Sequence, residues 1–225
     1  MEYREALGAA VTAFVQALAS AGVRHACFAP GSRSTPLVLA LTREPRIRLW
    51  DHLDERAMGY FALGLARALA EPVAVVTTSG TAAANLLPAV VEASLSQVPL
   101  VVLTADRPPE LRDVGAPQTI DQLRLYGTHV KWFADVPLPD ATPLVQRAAG
   151  TLARRAVALA RAFPPGPVHL NLPYREPLVP HFPDHPADPT AAVVCGEMEP
   201  DAEALRPLAA LLASHRQGII VAGPQ

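Results

Sequence analysis

Residues 73–85 read VAVVTTSGTAAAN and residues 100–108 read LVVLTADRP. In each stretch a short apolar, largely β-branched run gives way abruptly to small and polar residues. A strand with one wet face alternates apolar and polar residues. These runs do not, so Val73–Thr77 and Leu100–Thr104 read as strands buried on both faces. Thr81–Leu95 between them reads as one alanine-rich helix. Strand, helix and strand in close succession make a parallel crossover unit.

The same alternation extends in both directions. Upstream, Leu7, Val11, Phe14, Val15 and Leu18 recur at the spacing of an amphipathic helix. Val23–Pro30 reads as a strand, and a helix through Leu41 is expected to begin with Thr35 as N-cap and Pro36 at the first helical position. Arg46–Trp50 reads as a strand and Asp54–Ala70 as a helix. Downstream, Ala141–Ala162 reads as a long helix and Pro167–Leu172 as a strand. The expected fold class is α/β, a parallel sheet with helices on both faces. Its first domain spans 1–180. The proline-rich stretch from Pro177 to Pro189 reads as linker, with the linker region placed at 181–198. A helix at Asp201–Ser214 and a strand at Gly218–Ala222 follow, so residues 199–225 read as the start of a second α/β domain that stops after its first strand.

Composition excludes several classes. Of 225 residues, half are hydrophobic and 18% are charged, which is a globular balance. The formal charge is −2 and the pI about 6.4, so no basic excess points to nucleic acid. No apolar run is long enough to span a bilayer. The N-terminus carries no signal-peptide pattern, and Cys27 and Cys195 form no disulfide framework, so a reducing cytoplasm is expected. Of the 19 basic residues only Lys131 is lysine. Arginine suits planar, two-pronged recognition of carboxylates, although genome composition gives the same bias.

In such sheets ligands bind beyond the carboxyl ends of the strands, and that is where the unusual residues fall. Ala29–Pro36 brings Ser32, Arg33 and Ser34 to a helix start, a plausible anion site or simply a capped helix with a solvated arginine. His52–Arg56 places carboxylates at a helix start, where they also complement the helix dipole. Thr77–Asn85 is a glycine-bearing turn, but it lacks the glycine patterns of dinucleotide and P-loop sites. Arg107 is held between a strand end and two prolines, and Gly115–Gln122 is a turn rich in amides. His181 and His185 have a zinc-like spacing, but Pro183 argues against the helix it would need, so no metal ligand is expected. His169 reads as structural.

Pro30-Gly31-Ser32-Arg33-Ser34, Asp54-Glu55-Arg56, Thr78-Ser79-Gly80-Thr81-Ala82, Asp106-Arg107-Pro108 and Gly115-Ala116-Pro117-Gln118 together resemble the thiamine-diphosphate-dependent 2-succinyl-5-enolpyruvyl-6-hydroxy-3-cyclohexene-1-carboxylate synthase family of menaquinone biosynthesis. The resemblance covers the first three-quarters of the chain and implies a pyrimidine-binding domain. It implies an enzyme that decarboxylates 2-oxoglutarate on thiamine diphosphate and adds the resulting succinyl-semialdehyde carbanion to isochorismate, in a cytoplasmic homodimer or homotetramer.

Carried over position by position, Glu55 is the catalytic carboxylate that hydrogen-bonds the cofactor's aminopyrimidine, a role that calls for apolar shielding. Thr81 and Gln118 fall at cofactor contacts. Ser32, Arg33, Arg107 and Gln118 fall at substrate contacts. The family holds the diphosphate through Mg2+ at a Gly-Asp-Gly motif that this sequence lacks, so the chain is expected to be a fragment without metal ligands, inactive alone. Two other readings stand beside this one. The first is a thiamine-diphosphate enzyme of the acetohydroxyacid synthase or 2-oxoacid decarboxylase type, against which Arg33 and Arg107 argue. The second is a non-catalytic dimerisation module.

Overall fold

A computed structural model describes residues 2–183, 196, 199–219 and 221. The chain divides into two compact units between residues 194 and 195. In the first, strands β1 His25–Phe28, β2 Arg48–Asp51, β3 Val73–Thr77, β4 Leu100–Asp106, β5 Phe133–Asp135 and β6 Val168–Pro173 form one sheet in the order β2-β1-β3-β4-β6-β5. Every pairing is parallel. Helices α1 Tyr3–Ser20, α2 Thr35–Thr42, α3 Glu55–Leu69, α4 Thr81–Ala84, α5 Leu87–Leu95 and α6 Pro143–Arg161 make the connections. The fold is therefore α/β with both faces covered, as the uninterrupted apolar runs imply.

Residue alternation explains those runs. Ala74 and Val76 pack with α1, α2 and α6 on one face, while Val73 and Val75 pack with α3 and α5 on the other. Neither side of the strand is wet, so neither position can be polar. Burying each of these valines contributes about 1.5–3 kcal/mol. The runs end in register: Thr77 lies opposite Thr104, Thr104 opposite Asn171, and Asn171 opposite Asp135. The carboxyl edge of the sheet is thus a row of polar side chains, and the chemistry-bearing loops start from it.

Several boundaries differ from the sequence expectation, each for a local reason. The single helix expected over Thr81–Leu95 is two, α4 and α5. Pro88 has no N–H to give to the carbonyl of Ala84, and α4 ends at that residue. Thr35 is the first residue of α2 and not its cap. Ser34 holds the cap position, and its hydroxyl donates to Gly31 O at 3.0 Å. β2 begins at Arg48 because Arg46 is engaged with Glu44, at 2.7 Å. β5, three residues at the sheet edge, had no apolar run to announce it. Residues 177–183 lie along α1: Arg4 Nε donates to Val179 O at 2.9 Å, and His181 N donates to Arg4 O at 2.9 Å. The rest of the expected linker falls mostly outside the described residues.

In the second unit, α7 Ala202–Ser214 starts where expected, with Asp201 accepting from Glu203 N at 3.2 Å. Of the strand expected at 218–222, the described residues Gly218, Ile219 and Val221 lie in no strand. Among the described residues no helix is long and apolar enough to cross a membrane.

Candidate functional site

The chain leaves β1 toward β2 on one side and returns to β3 on the other, so the topological switch point lies between β1 and β3. The loops that follow those strands meet there. A Cβ on Gly31 would stand 2.3 Å from the Thr78 side chain, so only glycine permits this approach. Gly80 adopts φ +82° and ψ −144°, a backbone reserved for glycine. A Cβ there would also meet Gln118 Cγ at 2.9 Å.

Arg107 ties the next two loops together. Its Nη1 donates to Ser79 Oγ, and to Gln118 O at 2.9 Å. Gln118 returns the contact, its Nε2 donating to Ser79 O at 3.1 Å. Arg107 Nε and Nη2 have no hydrogen bond to the described residues. Its pKa is lowered, first by burial and then by the positive charge of Arg33. The two expected substrate arginines therefore share one electrostatic environment.

Arg33 is only 6% exposed. Its Nη1 donates to Tyr174 O at 2.9 Å, its Nη2 meets Glu176 Oε1 at 3.3 Å, and its Nε is buried without a partner. It is better enclosed than a clamp presented to solvent would be. Ser32 and Thr81 are exposed and make no side-chain hydrogen bond to the other expected site residues.

Glu55 is the first residue of α3. Asp54 takes the capping role, its Oδ1 accepting from Ala57 N at 2.7 Å. Capping by the neighbour leaves the Glu55 carboxylate without a partner, half-buried at a positive helix end. Full apolar shielding, which its expected role calls for, is not supplied by the described residues.

The sequence reading missed the scaffold behind these loops. Gln122, 1% exposed, accepts from Gly80 N at 2.8 Å and donates to Ala105 O at 3.1 Å and Asn171 Oδ1 at 2.9 Å. Asn171 Nδ2 donates in turn to Asp106 Oδ2 at 2.8 Å and Asp135 Oδ1 at 2.9 Å. Burial raises the Asp106 pKa, while the Asn171 hydrogen bond and the Arg112 charge oppose it. Gln122 lay inside the amide-rich turn already noted, but nothing local distinguished it from Gln118. Among the described residues no group of three or more His, Cys, Asp or Glu side chains could hold a metal ion.

Comparison with known proteins identifies the family. The model of the thiamine pyrophosphate enzyme N-terminal TPP-binding domain matches residues 9–125. The chain is 56% identical over 228 residues to the 2-succinyl-5-enolpyruvyl-6-hydroxy-3-cyclohexene-1-carboxylate synthase of Chloroflexus aurantiacus, covering 98% of this chain and 38% of that protein. It is 51% identical to the protein of the same name from Geobacillus kaustophilus, with 98% and 39% covered. For that of Roseiflexus castenholzii the identity is 50%, with 95% and 40% covered. The chain thus spans at most 40% of the length of these relatives. With its parallel sheet, its loops at the switch point and its matched residues, the chain belongs to the thiamine pyrophosphate enzyme family and carries that family's N-terminal TPP-binding domain.

Proposed function

We propose that this chain is the pyrimidine-binding part of a 2-succinyl-5-enolpyruvyl-6-hydroxy-3-cyclohexene-1-carboxylate synthase, joining 2-oxoglutarate to isochorismate in menaquinone biosynthesis. The observation that carries the reading is Arg107, positioned through one nitrogen and keeping two N–H-bearing nitrogens for a ligand, in the field of Arg33. Both proposed substrates are dicarboxylates, and paired guanidiniums suit them.

The residues present fit the pyrimidine half of thiamine diphosphate. An unpartnered carboxylate at Glu55, the exposed Thr81 hydroxyl and the Gln118 amide are the donors and acceptors that a polar heteroaromatic ring requires. When bound, the cofactor supplies the electron sink for decarboxylation and carbon–carbon bond formation. Glu55 holds a proton against the ring, Arg107 and Arg33 orient substrate carboxylates, and Ser32 adds a polar contact. The assignment of Mg2+ and the diphosphate to another domain of the enzyme rests on the family resemblance, whose Gly-Asp-Gly motif is not in this sequence.

Residues 1–180 form the pyrimidine domain in this reading, 181–198 the linker, and 199–225 the start of the middle domain. Assembly as a homodimer or homotetramer is supported by Leu53, just before α3, and by Tyr60 and Phe61 within it, which are 95%, 47% and 38% exposed. A cytoplasmic location is consistent with the free, buried Cys27. The test is a product assay on the enzyme that carries this segment. 2-Oxoglutarate with isochorismate should be converted and pyruvate should not; the opposite preference would place the chain with the acetohydroxyacid synthases or decarboxylases.

A further inference from the structure

We propose that Glu176 is an internal stand-in for a substrate carboxylate, holding Arg33 when no substrate is bound and competing with the incoming dicarboxylate for it. The inference rests on the reading of Arg33 and Arg107 as a carboxylate clamp and adds to it a residue that tunes the clamp.

The geometry is that of a partial, replaceable occupant. A carboxylate that binds an arginine well takes two parallel N–H groups at about 2.7–2.9 Å. Glu176 takes one, through Oε1 and Nη2, at 3.3 Å. The neighbouring Arg33 Nε, which could complete a two-pronged pair, is buried and has no partner. The Glu176 side chain is 75% exposed while that of Arg33 is 6% exposed, so Glu176 can swing into water and Arg33 cannot.

Arg33 does not depend on Glu176 for its position. Its other anchor, Tyr174 O, belongs to a backbone fixed to the sheet, where Tyr174 N donates to Asp106 O at 3.1 Å. Charge supports the same role. Arg107 feels the positive charge of Arg33 and the negative charge of Glu176, so the carboxylate offsets a repulsion between the two arginines. A substrate carboxylate arriving between them would do so in its place. An occupant of this kind lowers the apparent affinity by the fraction of time it holds the site.

The test is titration of the enzyme that carries this segment with 2-oxoglutarate, followed by calorimetry. Glu176→Gln should tighten binding roughly 2- to 5-fold, the range of an exposed ion pair. Glu176→Asp keeps the charge but withdraws it by one methylene, and it should tighten binding too, by less. Unchanged or weaker binding by Glu176→Gln overturns the proposal. So does a tighter Glu176→Gln beside a Glu176→Asp equal to the parent, because a distant field and not occupancy of Arg33 would then be at work. Arg33→Ala separates this inference from the reading beneath it and should weaken binding about tenfold. If Arg33→Ala binds like the parent, or if neither parent nor Glu176→Gln binds saturably, the carboxylate clamp fails and the stand-in with it.

Discussion

In the proposed function Arg107 does two jobs through different nitrogens. Nη1 locks the Ser79 and Gln118 loops, and Nε and Nη2 remain for a ligand. Arg107→Ala should therefore raise the KM for a dicarboxylate substrate about 10- to 100-fold, the equivalent of a charge-assisted hydrogen bond worth about 1.5–3 kcal/mol. It should also lower kcat, because the loops lose their tie. Steady-state kinetics with each substrate varied in turn checks this, and an unchanged KM for both would place Arg107 outside the site. At this scale the sequence was informative wherever a residue follows a strand directly. Glu55, Arg33 and Arg107 each sit just past an apolar run, and parallel strands must deliver such positions to one edge. Gln122 and Glu176 were not legible, because their partners Gly80 and Arg33 are 42 and 143 residues away. Only the register of β1, β3, β4 and β6 brings those groups together.

Among the described residues, the apolar pattern located each α-helix, with α4 and α5 merged into one, and all strands but β5; it also placed a strand at 218–222, where the described residues form none. Terminal details depended on hydrogen bonds that composition does not encode. Pro88 divides a helix that alanine content had merged. β5 is short because its value lies in edge pairing and in Asp135, which meets both Asn171 and Arg112. The C-terminus of α6 is closed by the chain's one lysine. Lys131 Nζ donates to Leu159 O and Ala162 O, each at 2.6 Å, and to Pro164 O at 2.7 Å. An ammonium at a helix C-terminus satisfies carbonyls that have no partner within the helix and complements the dipole. Lys131→Met keeps the apolar stem and removes the donors, and should destabilise the fold by about 1–3 kcal/mol. Urea denaturation measures this, and an unaltered midpoint would show that water serves those carbonyls equally well.

At the scale of the whole molecule, the polar row along the carboxyl edge makes stability depend on pH. His169 is fully buried against Tyr126 and Phe133. Thr104 donates its single hydroxyl proton to Asn171 Oδ1 at 3.0 Å and so receives the His169 Nε2–H at 2.7 Å. Burial pulls the His169 pKa from 6.5 down to about 3. The folded pKa is the lower one, so the unfolded chain takes up the proton first as pH falls. The stability associated with neutral His169 is complete above pH 6.5 and drains away toward pH 3. Between pH 6 and 5 the loss should approach about 1 kcal/mol per pH unit. His169→Gln should flatten that slope, as read from urea midpoints across the window; an equal slope in the variant would assign it to other groups.

Glu55 stands without a side-chain partner at the start of α3, past the carboxyl end of β2, and the arginines follow β1 and β4 along the same sheet edge. In the proposed function Glu55 shares a proton with the bound ring. The decisive measurement is turnover of 2-oxoglutarate and isochorismate by the enzyme that carries this segment, with Glu55→Gln beside the parent. Glutamine keeps the shape but cannot take up and release a carboxyl proton. Turnover should fall about 10²–10⁴-fold with the far-ultraviolet circular dichroism spectrum unchanged. Near-normal turnover by a folded Glu55→Gln enzyme would contradict the assignment of this edge as the pyrimidine site.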